Sequence, residues 1–258
     1  MIVREIVEQH SDEGAFLWLL RDCAVCAPHY HLEHLTRLDN RVEAHIDGLR
    51  VAGDGGWELL VEQLGHEEAG EVFAAGVLAL ESRDPARIGR VLEVVERVPE
   101  TGRGFVSALG WVDRVHLQGT VRGFLDSDSA FLRRLGIAAC AVHRVDPGAA
   151  LTAAIDDADP ALRARALKAA GELGRADLLE TLRLRLREDA DASCRFWAAW
   201  AAVLAGDRGR AVVALQRAAM RSSPQQFRAI GMAPRVLAAD AARDWLKTLS
   251  EDAGRCAR

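Results

Sequence analysis

Apolar residues recur at three- and four-residue steps along almost the whole chain, and nowhere is the two-residue alternation of a strand sustained. This pattern, punctuated by capping and breaking residues, predicts helices at 2–9, 12–25, 31–50, 54–65, 68–83, 85–98, 102–111, 113–125, 129–143, 147–156, 160–173, 176–188, 192–204, 208–221, 224–231 and 234–250. Asp84-Pro85, Asp146-Pro147-Gly148, Asp159-Pro160, Gly206-Asp207 and Ser222-Ser223-Pro224 each supply a cap, a proline for a first turn or a glycine for a last one. Connections this short make successive helices antiparallel neighbours. The hairpins pair as 68–83 with 85–98, 102–111 with 113–125, 129–143 with 147–156, 160–173 with 176–188, and 192–204 with 208–221.

Within this pattern lies a repeat. The loops Asp126-Ser127-Asp128-Ser129, Asp156-Asp157-Ala158-Asp159-Pro160 and Asp189-Ala190-Asp191-Ala192 each open a helix, and each is followed at a matching offset by an arginine: Arg133, Arg163 and Arg195, at spacings of 30 and 32 residues. Behind each arginine runs an alanine-rich stretch, a polar turn and a second leucine- or valine-rich helix. Such a unit cannot bury its apolar face alone, so neighbouring copies must stack, as in a helical-hairpin solenoid. The expected fold is all-α: a right-handed α-solenoid over 54–258 behind an irregular N-terminal helical cap at 1–53. Leu237, Ala241, Trp245 and Leu249 give the last helix an apolar face that closes the stack.

Residues 1–53 fall outside the repeat frame. Phe16-Leu17-Trp18-Leu19-Leu20-Arg21 is followed by a long helix with the stripe Leu35, Leu38, Val42, Ile46 and Leu49, and by the segment Leu38-Asp39-Asn40-Arg41-Val42-Glu43-Ala44-His45-Ile46-Asp47-Gly48-Leu49-Arg50. Together with repeats of the Leu162-Arg163-Ala164-Arg165-Ala166-Leu167 kind, this resembles a bacterial family of HEAT-like repeat proteins, described by the phycobilisome-lyase type of HEAT repeat and associated with gene neighbourhoods of type VI secretion clusters. The resemblance extends over nearly the whole chain. It implies a fold and a setting, and no established reaction.

Composition narrows the picture. Apolar residues make up 50% of the chain and aromatic ones only 5%, so alanine, leucine and valine fill the core, a mixture suited to closely packed helices. No apolar run is long enough to span a bilayer, and Met1-Ile2-Val3-Arg4-Glu5 lacks the order of a signal peptide, so a cytoplasmic location is expected. The five cysteines are odd in number and scattered, which fits reduced thiols. Charge is uneven: residues 1–125 hold 12 basic and 21 acidic residues, net -9, while 126–258 hold 21 and 17, net +4. Among the 33 basic residues only Lys168 and Lys247 are lysines. That bias follows from genomic composition or from selection for bidentate contacts.

Candidate chemistry is sparse. Cys23, Cys26, His29, His31 and His34 contain enough soft ligands for zinc, but the two cysteines would sit three apart on a helix and no second ligand pair recurs at zinc-finger spacing, so no metal is expected. His45 reads as a hydrogen-bonded core histidine, with Asp39, Arg41, Asp47 and Arg50 around it as a polar network or a contact surface. Gly53-Asp54-Gly55-Gly56 and Thr101-Gly102-Arg103-Gly104 lack the lysine and the order of a phosphate loop. Trp111 and Asp113 are the residue types that base excision uses for stacking and for its carboxylate, but they lie in the acidic half, the wrong sign for a phosphate backbone. Trp197 and Trp200 read as core.

The arginines of the later second helices offer the better surface. Arg183 and Arg187 are one turn apart, Arg185 and Arg217 occupy the same repeat position, and Arg221 follows Arg217 by one turn. As second helices line the inner side of such stacks, these five residues form the expected partner-binding ridge. The expected function is non-enzymatic and needs no cofactor: an adaptor, chaperone or immunity-like protein in a type VI secretion setting, gripping an acidic segment of another protein on its concave face, with neither membrane nor nucleic acid as partner. The rival is a HEAT-type enzyme acting on DNA bases, or a binder of a bilin-like ligand.

Overall fold

The computed structural model describes the backbone of residues 3–256, and their side chains except at 233 and 251–256. The start of the helix expected from residue 2 and the thiol of Cys256 therefore lie outside the described residues. All regular structure among those residues is helical, and the chain folds as an α-solenoid of helical hairpins. Contacts divide it into two compact units, 1–123 and 124–258. The charge asymmetry follows that division, because neither Phe124 nor Leu125 carries charge.

The first unit contains α1 (Arg4–Ala24), α2 (Leu32–Ala52), α3 (Asp54–Gln63), α4 (Ala69–Ser82), α5 (Pro85–Arg97), α6 (Gly102–Trp111), α7 (Arg114–Leu117) and most of α8 (Thr120–Leu125). Its centre is α4, where eleven of fourteen residues are buried, because Ala, Gly, Val, Phe and Leu follow one another with hardly a polar interruption. Against it pack α1, α3, α5 and α6. The approach of α1 is close enough that a Cβ at Gly70 would stand 2.6 Å from the Ala15 carbonyl oxygen. The rings of Trp18 and Phe73 stack with centroids 5.2 Å apart, Trp111 meets Phe73 edge-on at 5.3 Å, and the Trp18 indole donates to Ser107 Oγ at 2.9 Å. The Arg50 guanidinium binds Glu81 with two bonds of 2.7 and 2.9 Å and reaches Glu43 and Asp47 at 2.5 Å, so one cation joins α2 to α4.

The second unit contains α9 (Ala130–Val142), α10 (Ala149–Ile155), α11 (Pro160–Glu172), α12 (Leu179–Glu188), α13 (Ala192–Leu204), α14 (Arg210–Ala219), α15 (Gln226–Val236) and α16 (Ala239–Cys256). Its first helices α9, α11 and α13 pack on one another in one layer; of the second helices, α10 packs on α9 and α11, α12 on α13, and α14 on α13 and α15. Leu162, Leu167, Ala170, Leu182, Ala198, Ala202 and Leu215 are at most 1% exposed and form the interlayer core. Fully burying each leucine contributes about 1.5–3 kcal/mol.

Both ends of the repeat are built the same way each time. At the start, Ser129, Asp159 and Asp191 accept a bond from the backbone N–H three residues on, at 3.4, 2.7 and 2.8 Å, a cap of about 1 kcal/mol. Four residues later the arginine folds back. Arg133 donates to the carbonyls of Ser127 and Asp128, Arg163 to those of Asp157 and Ala158, and Arg195 to those of Asp189 and Ala190. The other edge of the guanidinium reaches the next repeat: Arg133 meets Asp157 at 2.7 Å, and Arg163 meets both oxygens of Asp189 at 3.0 and 3.1 Å. At the far end of the first helices, Arg144, Gly174 and Gly206 take φ of 57, 69 and 101°. The next amide closes on the carbonyl five residues back in each case, at 2.9 Å.

Several expected boundaries move. The predicted break near residue 10 does not occur, because Ser11 and Gly14 are buried inside a continuous α1. The helix expected at 113–125 splits into α7 and α8 around Gly119, whose φ is 85°. Helix α15 runs on through Pro234 to Val236. The cap on α16 uses Ala242, Trp245 and Leu249 rather than Ala241, which is exposed. Trp197 and Trp200 are half-buried rather than core; Trp197 is flanked by Lys168 at 5.0 Å and Arg228 at 5.7 Å. Burial on that indole pushes the Lys168 ammonium below its ordinary pKa, against the pull of Glu172.

The two rungs differ in depth, and this gives a test. The Asp189 side chain is 1% exposed and that of Asp157 20%. Asp189→Asn should lower unfolding free energy by about 2–4 kcal/mol, as expected for breaking a buried pair, and Asp157→Asn by about 1 kcal/mol. Urea unfolding of the two variants checks the order; equal losses would mean that depth does not govern the rungs.

Candidate functional site

Helix α12 presents Arg183, Arg185 and Arg187, and α14 with the turn behind it presents Arg210, Arg217 and Arg221. The five arginines expected to form one ridge divide into two groups. Arg183 is committed to the fold: its Nε donates to Asp207 at 2.7 Å and a second nitrogen to Glu180 at 2.6 Å. Arg185 is committed too, bonded to Asp156 and 3.9 Å from Asp189. It points back along the stack and lines neither groove described below. Arg187, Arg217 and Arg221 are exposed; Arg187 has only a loose contact of 3.8 Å with Glu188.

Between α12 and α14 runs a groove of about 960 Å³, with Arg183, Arg187, Arg208, Arg210 and Arg217 in its lining beside the apolar Leu186, Val213 and Ala214. Its two carboxylates, Glu180 and Asp207, are both bound by Arg183. A second groove of about 600 Å³ shares Leu186, Ala214 and Arg217 with the first and adds Arg195, Phe196 and Arg221, with no acidic residue in its lining. Together they form a trough whose excess positive charge stands beside an apolar strip. An extended acidic segment carrying an apolar side chain matches both features. Arg195 and Arg210 belong to this surface although neither stood among the expected binding residues. Arg195 was legible only as a marker of the repeat.

Carboxylates and arginines that hold the repeats cannot serve as free ligands or bases. Burial alone would raise the Asp189 carboxyl, but the Arg163 guanidinium and the Asp191 amide outweigh it and hold the group below its ordinary pKa. Asp207 is likewise held low, by Arg183 and backbone amides against the cost of burial. Burial pushes the Cys194 thiol up to about 12 while it donates to the Pro160 carbonyl at 3.2 Å, so it is no nucleophile.

The candidates in the first unit are spoken for in the same way. Trp111 donates to Glu43, and Asp113 caps α7 through the Val115 amide at 2.9 Å, so both act within the fold. Asp39 pairs with Arg21 at 2.8 Å, while Asp47 belongs to Arg50. Cys23 lies in the last turn of α1 and Cys26 beyond its end, so they do not share a helix face; both thiols are free and exposed. Among the described residues no group of three or more His, Cys, Asp or Glu side chains is placed to hold a metal ion, and no helix is long and apolar enough to cross a membrane. His45 is half-buried between α1 and α2, its Nδ1 3.3 Å from His10 Nδ1 and its Nε2 3.3 Å from Glu13. Which of the two facing nitrogens donates depends on the tautomers of the pair. Burial lowers the His45 pKa first of all, with His10 and Arg41 in the same direction and Glu13 opposing.

Similarity to known proteins falls on this same part of the chain. Residues 148–233 match the family described as HEAT repeats. The match starts at the loop before α10 and ends within α15, covering the hairpins that form the trough. Those hairpins are HEAT-like repeats. No curated protein and no solved structure gives a significant match to the chain.

The pKa shifts predict how stability follows pH. His45 titrates below its ordinary value of 6.5, so its contribution is complete above that value and is lost as pH falls below it, through the folded pKa. Asp189 and Asp207, held below 3.8, contribute above about pH 4 and fail below it. Urea midpoints measured from pH 8 to 3 should therefore fall in two steps; His45→Gln should remove the upper step and leave the lower.

Proposed function

We propose that the protein is a cytoplasmic, non-enzymatic scaffold that grips an acidic segment of a partner protein in the trough between α12 and α14. The observation that carries this reading is the unequal use of arginines: Arg183 and Arg185 are spent on Asp207 and Asp156, whereas Arg187, Arg210, Arg217 and Arg221 face the trough with its apolar strip. Surface cations left unpaired beside apolar side chains cost little in the free protein and become useful when a carboxylate arrives. HEAT-like repeats commonly serve protein–protein interaction. An open trough without an enclosed, acid–base-poised pocket fits a binding surface better than a reaction chamber.

An adaptor, chaperone or immunity-like role in a type VI secretion setting is the biological form we attach to this activity, on the strength of the family resemblance. The net charge of -9 in the first unit opposes an acidic segment there and favours the second unit, of net +4, as the point of capture.

A fluorescein-labelled peptide of alternating aspartates and leucines tests the reading. It should bind saturably at low salt and weaken as ionic strength rises. Reversing Arg187, Arg210 and Arg217 to glutamate should weaken it by about tenfold or more, roughly 1.4 kcal/mol, with the thermal midpoint nearly unchanged. Reversing Arg183 and Arg185 should lower the thermal midpoint as well, because Asp207 and Asp156 lose their partners. No saturable binding by the wild-type protein, or undiminished binding by the triple reversal, would remove the trough from the account.

A further inference from the structure

The repeats of the second unit are near-copies, and the last one departs from the others at the loop that follows it. In the copies that begin at Ser127 and Asp157, the arginine donates from one nitrogen to its own loop and offers the remaining edge to an aspartate of the next copy: Arg133 to Asp157 at 2.7 Å, Arg163 to Asp189 at 3.0 and 3.1 Å. Asp157 and Asp189 also accept from the amide two residues further on, at 2.9 Å in both cases. In the third copy the first half of this construction is intact, since Arg195 donates to the carbonyls of Asp189 and Ala190 at 2.7 and 2.8 Å. The second half is changed. The position 32 residues after Asp189 holds Arg221.

The free edge of Arg195, its Nε and second terminal nitrogen, therefore has no aspartate in the following turn. Arg195, Arg217 and Arg221 all line the groove of about 600 Å³, whose other lining residues include Ser223 and Gln225 and no carboxylate. Helix α15 opens at Gln226, five residues after Arg221, where α11 and α13 open three residues after Asp157 and Asp189, and no aspartate stands between Arg221 and Gln226. A planar guanidinium edge binds a carboxylate with two parallel bonds, and this fold twice presents that edge to a carboxylate.

We propose that a carboxylate of the partner docks on the free edge of Arg195, taking the place that Asp189 takes for Arg163, with Arg217 and Arg221 holding the flanking acidic residues. This rests on the reading of the trough as a site for an acidic segment and goes further by naming the anchoring residue and the ligand chemistry, an aspartate or glutamate side chain. A partner's carboxylate thereby continues the ladder that joins the repeats, so capture and folding use the same contact.

The substitution Arg221→Asp tests it, because it places an aspartate at the repeat-spaced position, 32 residues after Asp189. The new aspartate should pair with Arg195 inside the chain, raise the urea midpoint, and weaken the aspartate–leucine peptide by about tenfold or more. Arg221→Ala, which removes one exposed cation without closing the edge, should weaken it by no more than about threefold and leave stability unchanged. Peptide binding by Arg221→Asp as tight as wild type, or no gain in its stability, would overturn the inference. If the Arg187, Arg210 and Arg217 reversal abolishes binding while Arg221→Asp does not, the trough stands and the Arg195 anchor falls. Inorganic phosphate displacing the peptide more than about tenfold better than acetate would assign the edge to phosphate instead and also overturn it.

Discussion

A single guanidinium shared between two successive loops is the interaction on which the second unit depends. A helical hairpin has one apolar face and cannot stand alone, and stacking hairpins of alanine-rich helices brings backbone loops together at every junction. Each loop leaves carbonyls at the start of a helix that no helix bond reaches. Arg133, Arg163 and Arg195 satisfy those carbonyls within their own repeat. Arg133 and Arg163 then use the opposite edge to hold an aspartate of the next. Planarity matters here, since a lysine has no second edge to offer. The near-exclusive use of arginine acquires a local reason at these positions, whatever its source elsewhere in the chain.

The same economy decides what is left for function. The rungs Arg133–Asp157 and Arg163–Asp189 are saturated, their carboxylates held in the charged form and their guanidinia held in place. Function falls to the arginines outside those rungs and to Arg195, which has no rung of its own. The trough between α12 and α14 gathers them around Leu186, Val213 and Ala214, in a stretch where the first helices pack tightly beneath and the second helices stand apart. In the first unit Arg50 binds Glu43, Asp47 and Glu81 and Trp111 closes on Glu43, so these polar groups are paired with one another within a unit of net negative charge.

Much of this was legible in the sequence, and the reasons for success and failure are physical. Loops such as Asp156-Asp157-Ala158-Asp159-Pro160 announce their conformation through local chemistry, so the hairpins and the place of Arg133, Arg163 and Arg195 could be read directly. Boundaries failed where tertiary packing overrode a local signal. Ser11 and Gly14 look like a break and are buried in α1, and Pro234 sits inside α15. Exposure of Trp197 could not be read from its apolar neighbours, because the cations that cover it, Lys168 and Arg228, come from α11 and α15. The candidate site was half legible. Spacing found arginines on one helix face, but it could not tell that Asp207 and Asp156 neutralise Arg183 and Arg185, contacts that bridge 24 and 29 residues. The replacement of aspartate by Arg221 was present in the repeat pattern all along, and acquires meaning only once the bonds of Asp157 and Asp189 are seen.

The central claim is that repeats are coupled through the arginine–aspartate rung, not merely stacked beside it. A double-mutant cycle on Arg163 and Asp189 measures this directly. Unfolding free energies of the wild type, Arg163→Ala, Asp189→Ala and the double variant should show the double variant little less stable than the worse single, a coupling of about 1.5 kcal/mol or more for a contact this deep. Losses that add to within about 0.5 kcal/mol would show two residues acting independently, and would contradict the account.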